Sequence, residues 1–297
     1  MKRLAICAGL LLFIGSIGFP QDASAPSFNE GAPKFSLKIG GGAHYAALGD
    51  LAKGIDGQMA YLQDEYGDIT GSFDAPRLGL GFGAEFLFQF APRFGAGLGF
   101  GYLTHAKDSQ VSYTISFIDT KEKIGPKLSV IPITANLHYY LPFGRKLKLD
   151  LNAGAGYYLA TMNYEYRMDL SLLGYEGYDT YTFKSNRGAL GFQGGLGLEF
   201  AFSRRIALCL DIIGRLVSID GFKGDWTEKG GGDFWEYDDA GTDHEMWYYA
   251  WTYGGKTYDQ VVFQAEKPFG SLVSDIRSAK VDLTGVTATL SLKISLF

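Results

Sequence analysis

An antiparallel, up-and-down β-barrel of eight strands that crosses a membrane is the fold this sequence predicts, on three observations. In the final segment, 280–297, Val286, Ala288, Leu290, Leu292, Ile294 and Leu296 share one parity, and Thr287, Thr289, Ser291, Lys293 and Ser295 the other. Residues two apart lie on one face of a strand, so this strand has a greasy side and a polar side. The same period of two returns along most of the chain. Between the alternating segments, short connections at 91–93, 142–146 and 203–205 take turns with long ones at 47–76, 105–126, 162–187 and 220–279. That rhythm suits a barrel with tight turns on one rim and long loops on the other.

The first strand, 34–46, sets Phe35, Leu37, Ile39, Ala43 and Tyr45 against Lys38, His44 and glycines. The second, 77–90, sets Leu78, Leu80, Phe82, Ala84, Phe86, Phe88 and Phe90 against Gly79, Gly81, Gly83, Glu85 and Gln89. In the third, 94–104, Phe94, Leu98, Phe100 and Tyr102 oppose Gly95, Gly97, Gly99 and Gly101. The fourth, 127–141, turns Ile131, Ile133, Leu137 and Leu141 one way and Thr134, Asn136, His138 and Tyr140 the other. The fifth is 147–161, with Leu147, Leu149, Leu151, Tyr157 and Leu159 outward; the sixth is 188–202, the seventh 206–219, and the eighth the C-terminal strand. A hairpin at 246–265, turning at Gly254-Gly255-Lys256, keeps a ten-stranded barrel open as the alternative.

The ends agree with export. Lys2 and Arg3 precede an apolar run to Phe19 and small residues around Ala23-Ser24-Ala25, so 1–25 reads as a signal peptide and 26–33 as a short segment before the barrel, 34–297. Of the two cysteines, only Cys209 survives removal of that signal, which excludes an intramolecular disulfide. Elsewhere the chain has no run of ~20 apolar residues for a membrane helix. Its mean hydropathy of -0.01 does not argue against a barrel, whose strands are half polar. A net charge of -5 without a basic stripe excludes a nucleic-acid partner. A soluble barrel or sandwich would show the same period, but the polar face here is too rich in glycine and charge to become a hydrophobic core.

With these strands, turns and ends, the chain resembles the small outer-membrane barrels of Gram-negative bacteria, the group of the OmpA transmembrane domain, OmpX and OmpW. The resemblance covers about 34–297 and rests on pattern, with no residue signature. It implies residence in the outer membrane among its lipids and lipopolysaccharide, and handling by periplasmic chaperones and the barrel-assembly machinery during biogenesis. One departure is Phe297, which has the parity of Ser295 and Lys293, whereas the usual terminal signal keeps its aromatics on the greasy parity.

Two groups of residues are candidates for function. By parity the interior receives Lys38, Glu85, Asp150, Glu199, Asp211 and Arg215, along with His44, Gln89, Asn136, His138, Asn152, Gln193 and Lys293. Enclosed charges must be paired or hydrated, so these form either an ion-pair plug or a wetted path; eight strands leave little more room than side chains fill. The second group lies in 220–279, which holds all four tryptophans, Trp226, Trp235, Trp247 and Trp251, and an acidic stretch including Asp238 and Asp239. Exposed aromatics are costly unless packed or bound, so this segment is expected either to pack on itself as a cap over the barrel mouth or to serve as the contact surface, and the two are compatible. Glycines at strand spacing with no following helix exclude a phosphate loop. His44, His105, His138 and His244 show no metal-ligand spacing, and 238–243 departs from the EF-hand pattern, so neither a metal nor a cofactor is expected. His105, Asp108 and Ser109 are the only local cluster with hydrolase chemistry. The expected role is therefore structural or surface-interactive, not enzymatic, with a narrow channel for small or apolar solutes as the alternative and a lipid-modifying enzyme a distant third.

Overall fold

The structure, a computed structural model, describes residues 34–144, 146–233 and 235–296. In chain order its elements are β1 (Lys34–Ala46), α1 (Gly49–Tyr66), β2 (Thr70–Ser72), β3 (Leu78–Ala91), β4 (Phe94–Ala106), β5 (Ser109–Ile115), β6 (Ile118–Ile124), β7 (Lys127–Phe143) and β8 (Leu147–Leu172). There follow β9 (Tyr175–Ala201), β10 (Ile206–Leu216), β11 (Ser218–Asp220), β12 (Lys223–Gly232), β13 (Trp235–Tyr253), β14 (Lys256–Gln264), β15 (Val273–Ser278), β16 (Lys280–Asp282) and β17 (Gly285–Ser295). The proposed signal peptide and the 26–33 segment lie outside the described residues.

Eight of these strands pair antiparallel in a circuit that returns to its start: β1 with β3, then β4, β7, β8, β9, β10, β17 and β1 again. They are the eight segments whose parity the sequence displays. Their outward side chains are exposed, Leu80 and Phe82 each to 67% and Leu98 to 58%. The short connections and both described ends gather at one rim, here called the lower; the long connections leave the upper rim.

Above that rim the structure corrects the expected loops. Seventeen strands are present among the described residues, not eight, because nearly every long connection is itself built. Segment 162–187 is no loop: β8 and β9 run on paired to Leu172 and Tyr175, and Leu173 and Gly174 turn between them at positive φ, 52° and 90°. Segment 105–126 is the β5–β6 hairpin, whose β6 pairs with the upper part of β8. On the opposite flank, β12 pairs with the upper part of β9, and β13, β14 and β15 extend the same sheet. The 246–265 hairpin thus pairs with β12 and β15, not with strands of the circuit. The eighth strand begins at Gly285, since 280–282 leaves to pair with β11.

Segment 47–76 holds a helix, α1. Leu51, Ala52, Ile55, Met59 and Leu62 recur at helical spacing and are buried together. Gly54 and Gly57 let the helix lie against β14: a Cβ at Gly54 would stand 2.6 Å from Val261, and one at Gly57 would strike the carbonyl of Asp259. Asp50 fixes its first turn, accepting from the Lys280 amide at 2.9 Å and from both terminal nitrogens of Arg277. Leu48 and Leu51 pack with Leu128, Val130, Tyr158, Met162, Phe183, Phe222 and Met246 in one apolar core that fills the upper interior.

Candidate functional site

Below that core the inward positions are polar. Lys38 Nζ meets Asp211 at 2.8 Å, and Lys293 Nζ meets Glu199 at 2.8 Å. His138 bridges two strands: Nδ1 lies 3.0 Å from both Asp150 oxygens and Nε2 lies 3.2 Å from Glu85. Asn136 donates to Glu85 at 2.6 Å, Gln193 to Asn136 at 2.9 Å, and Tyr158 to Gln193 at 3.0 Å. Register brings the groups to one height, with Lys38 opposite Glu85 and His138 opposite Asn152, and the long side chains then reach across to Asp211, Glu199 and Asp150. Removing a carboxylate from water is costly, and each one here is returned an opposite charge or amide donors. The arrangement is an ion-pair plug across the lower interior. All six residues named from parity face it, though Arg215 stands apart: Thr287 Oγ1 accepts from its Nη2 at 2.8 Å, and its guanidinium lies over the Tyr158 ring. The sequence reading missed Lys148, buried beside the Tyr140 ring, whose parity with Asp150 would have placed it. Between plug and core lies a cavity of about 160 Å³.

The upper part, hereafter the head, scatters the tryptophans instead of gathering them. Trp226 stacks on His244 at 4.3 Å; Trp251 meets Tyr61 of α1 at 4.9 Å; Trp247 donates to the Gln264 carbonyl at 3.2 Å. Only Trp235, 47% exposed and stacked on Tyr237, presents its ring at the surface. At the surface Asp238 pairs with Lys229 at 2.7 Å, and Asp239 accepts from the Ala240 amide at 2.8 Å. The tryptophans of 220–279 thus form no single site: half-buried, Trp226 stacks on Tyr181 of β9, Trp251 packs on α1, and Trp247 bonds within its own hairpin. Tyr61, enclosed by burial and then by Tyr66, has its hydroxyl pushed up to about 12. The head opens in a cleft of about 1090 Å³ between β5, β6, β8, β9 and β12, with Tyr66, Tyr113, Arg167 and Tyr178 in its walls. Its residues come from segments read as loops, which is why the sequence reading did not assemble it.

The hydrolase-like cluster does not form. His105 spends both ring nitrogens, on the Pro76 carbonyl at 3.0 Å and on His44 at 2.9 Å, while Asp108 faces Lys123 and Ser109 accepts from the Asp74 amide. Among the described residues no group of three His, Cys, Asp or Glu side chains is placed to hold a metal ion, and no helix is long and apolar enough to cross a membrane.

Antiparallel strands with a greasy outer face and a charged inner face define the class of membrane β-barrels. The family model described as "Outer membrane protein beta-barrel domain" matches residues 11–229, and the chain belongs to that family, whose place is the outer membrane. Among solved structures it is similar to the outer membrane protein OprG from Pseudomonas aeruginosa, at 14% identity over 91% of this chain and 99% of that one, TM-score 0.36. It is also similar to a major outer membrane protein from Thermus thermophilus, at 11% identity over 90% and 100% of the two chains, TM-score 0.33. No curated protein matches it.

Proposed function

We propose that the eight-strand circuit is the membrane wall of a closed barrel, and that its function is to anchor and display the β-rich head as a contact surface outside the cell. The observation that carries this reading is the filled upper interior. Leu48, Leu51 and Ile55 from the α1 region meet Leu128, Val130 and Tyr158 from the wall, each no more than 4% exposed. Apolar burial of this kind does not open for water at modest cost. Beneath it the ion-pair plug is a second barrier, so the barrel conducts no steady current. The wall sits among outer-membrane lipid and lipopolysaccharide, the lower rim faces the periplasm after export, and the cleft with Trp235 and Tyr237 is the surface a partner meets. No catalysis belongs to this role.

Two measurements test it. Purified protein in planar bilayers should be electrically silent; steady single-channel currents would replace the anchor with the narrow channel. Cysteine labels in 91–93 and beside Trp235 should differ on intact cells, the second reacting and the first protected. Equal labelling would overturn the orientation.

A further inference from the structure

The plug is charge-balanced without Arg215. Both ring nitrogens of His138 face carboxylate oxygens, which can only accept, so the ring carries two hydrogens and a positive charge. Four cations, Lys38, His138, Lys148 and Lys293, therefore stand against four carboxylates, Glu85, Asp150, Glu199 and Asp211. Arg215 is 7% exposed, no carboxylate lies within ion-pair distance of it among the described residues, and its Nε has no hydrogen-bond partner. A buried guanidinium without a counter-charge is expensive. It lines the 160 Å³ cavity.

The same cavity receives a second unmatched atom. The Pro76 carbonyl accepts from His105 Nδ1, so His105 Nε2 is an acceptor in the neutral ring. His44 Nδ1, 2.9 Å away, must then donate to it. That leaves His44 Nε2 as a lone pair with no partner, on a side chain only 2% exposed. The tautomer is thus set by a carbonyl two side chains away. The remaining wall is mixed: Gly81, Gly83 and Gly101 with Thr289 and Ser291, the apolar Leu103, Pro132 and Ile213, and at the bottom the paired Lys38, Glu85 and Asp211 of the plug.

We propose that this cavity binds a small hydroxycarboxylate, its carboxylate on the Nε edge of Arg215 and its hydroxyl donating to His44 Nε2. Arginine supplies the planar fork a carboxylate fits, and the lone pair requires a ligand that brings a hydrogen. The volume corresponds to a handful of heavy atoms, since a water takes about 30 Å³ of liquid. The site goes beyond the anchoring role; with packed core above and plug below, its ligand enters only as the plug side chains move aside.

Calorimetric titration of the full-length protein in detergent, at constant ionic strength, tests the site with glycolate, acetate and gluconate. Glycolate should bind saturably at one site. Acetate, which lacks the hydroxyl, should bind roughly tenfold more weakly, as an unsatisfied buried acceptor predicts. Gluconate should not bind. Arg215→Gln should lower glycolate affinity roughly tenfold or more. Thr289→Leu, which fills the cavity and alters no charge, should abolish binding even if Arg215→Gln fails to fold. No saturable glycolate binding, equal affinities for acetate and glycolate, or binding that survives Thr289→Leu would overturn the proposal.

Discussion

On β7 and β8 the lower inward positions are Thr134, Asn136, His138, Lys148 and Asp150, whereas the upper ones are Leu128, Val130, Tyr158 and Met162. Both sets lie on the same face of the same two strands. The lower set is held by directional bonds between a few charged partners, and the upper set by close packing against α1 and the 246–264 hairpin. A barrel wall must be greasy outside along its whole membrane span, but its inner face is free to change chemistry with height. The lower interior is therefore intolerant of a single unpaired group, while the upper behaves as the core of a soluble domain sitting on a membrane support.

The comparison breaks most sharply if one partner of the plug is removed. Asp211→Ala should destabilise the protein by about 3–5 kcal/mol in urea titration, because it strands the buried ammonium of Lys38. The double change Lys38→Met with Asp211→Leu should recover most of that loss. If the single and double variants are equally stable, the plug is not held by pairing.

In the upper interior, Leu51→Ala should cost about 2–4 kcal/mol by leaving a cavity at a residue 1% exposed. The loss should be local, appearing as faster amide exchange across 49–66 while the heat-modifiable gel shift of the wall persists. On the lipid side, Leu292→Arg should impair assembly by about 2–4 kcal/mol and Thr289→Asn by less, since the first residue points outward and the second lines the interior, where a neutral polar group leaves no charge unpaired. Equal damage would mean the inside and outside faces are misassigned by one residue.

The smallest effect is a pH dependence confined to the head. Burial opposes ionisation of Asp50, yet the Arg277 guanidinium and the Lys280 amide more than offset it and hold the carboxyl below its usual range. A depressed carboxyl contributes stability that is full above the unfolded value, about pH 4, and is lost as pH falls through the folded one. Exchange across 49–66 should thus quicken below about pH 4, and Asp50→Asn should remove that dependence at a cost of about 1–2 kcal/mol at neutral pH. A pH profile identical in the variant would exclude Asp50 as the tie.

How much of this could be read from the sequence follows from the same division. The circuit strands were legible because lipid outside and polar groups inside leave an unbroken period of two, as in 77–90 and 286–296. Past Thr161 the period of two persists with its faces exchanged, Met162, Tyr164, Tyr166, Met168 and Leu170 inward against Asn163, Glu165, Arg167 and Asp169 outward, so the continuation of β8 lacks the greasy outer face by which the circuit strands are recognised and reads as loop. Helix α1 carries a regular apolar spacing, but Gly49, Gly54 and Gly57 lower its helix propensity; they are tolerated because β16 approaches Gly49, and β14 approaches Gly54 and Gly57, too closely for a side chain. The interior candidates were found because parity alone places them. The tryptophans leave cap and contact surface equally open, since composition cannot tell a ring that packs from one that waits for a partner. Lys148 shares the parity of Asp150, so the same rule places it in the interior.

The separability of head and wall is tested most directly by removing 222–276, closing the gap with a short turn, and following amide exchange in lipid. Phe222 is fully buried and the deleted hairpin covers α1, so residues 49–66 should lose protection entirely. Protection of the lower parts of β7, β8, β9 and β17 should stay as in the full chain, and the heat-modifiable shift should remain. Loss of protection in those lower strands, or of the gel shift, would show that the head and the wall fold as one unit and would contradict the account.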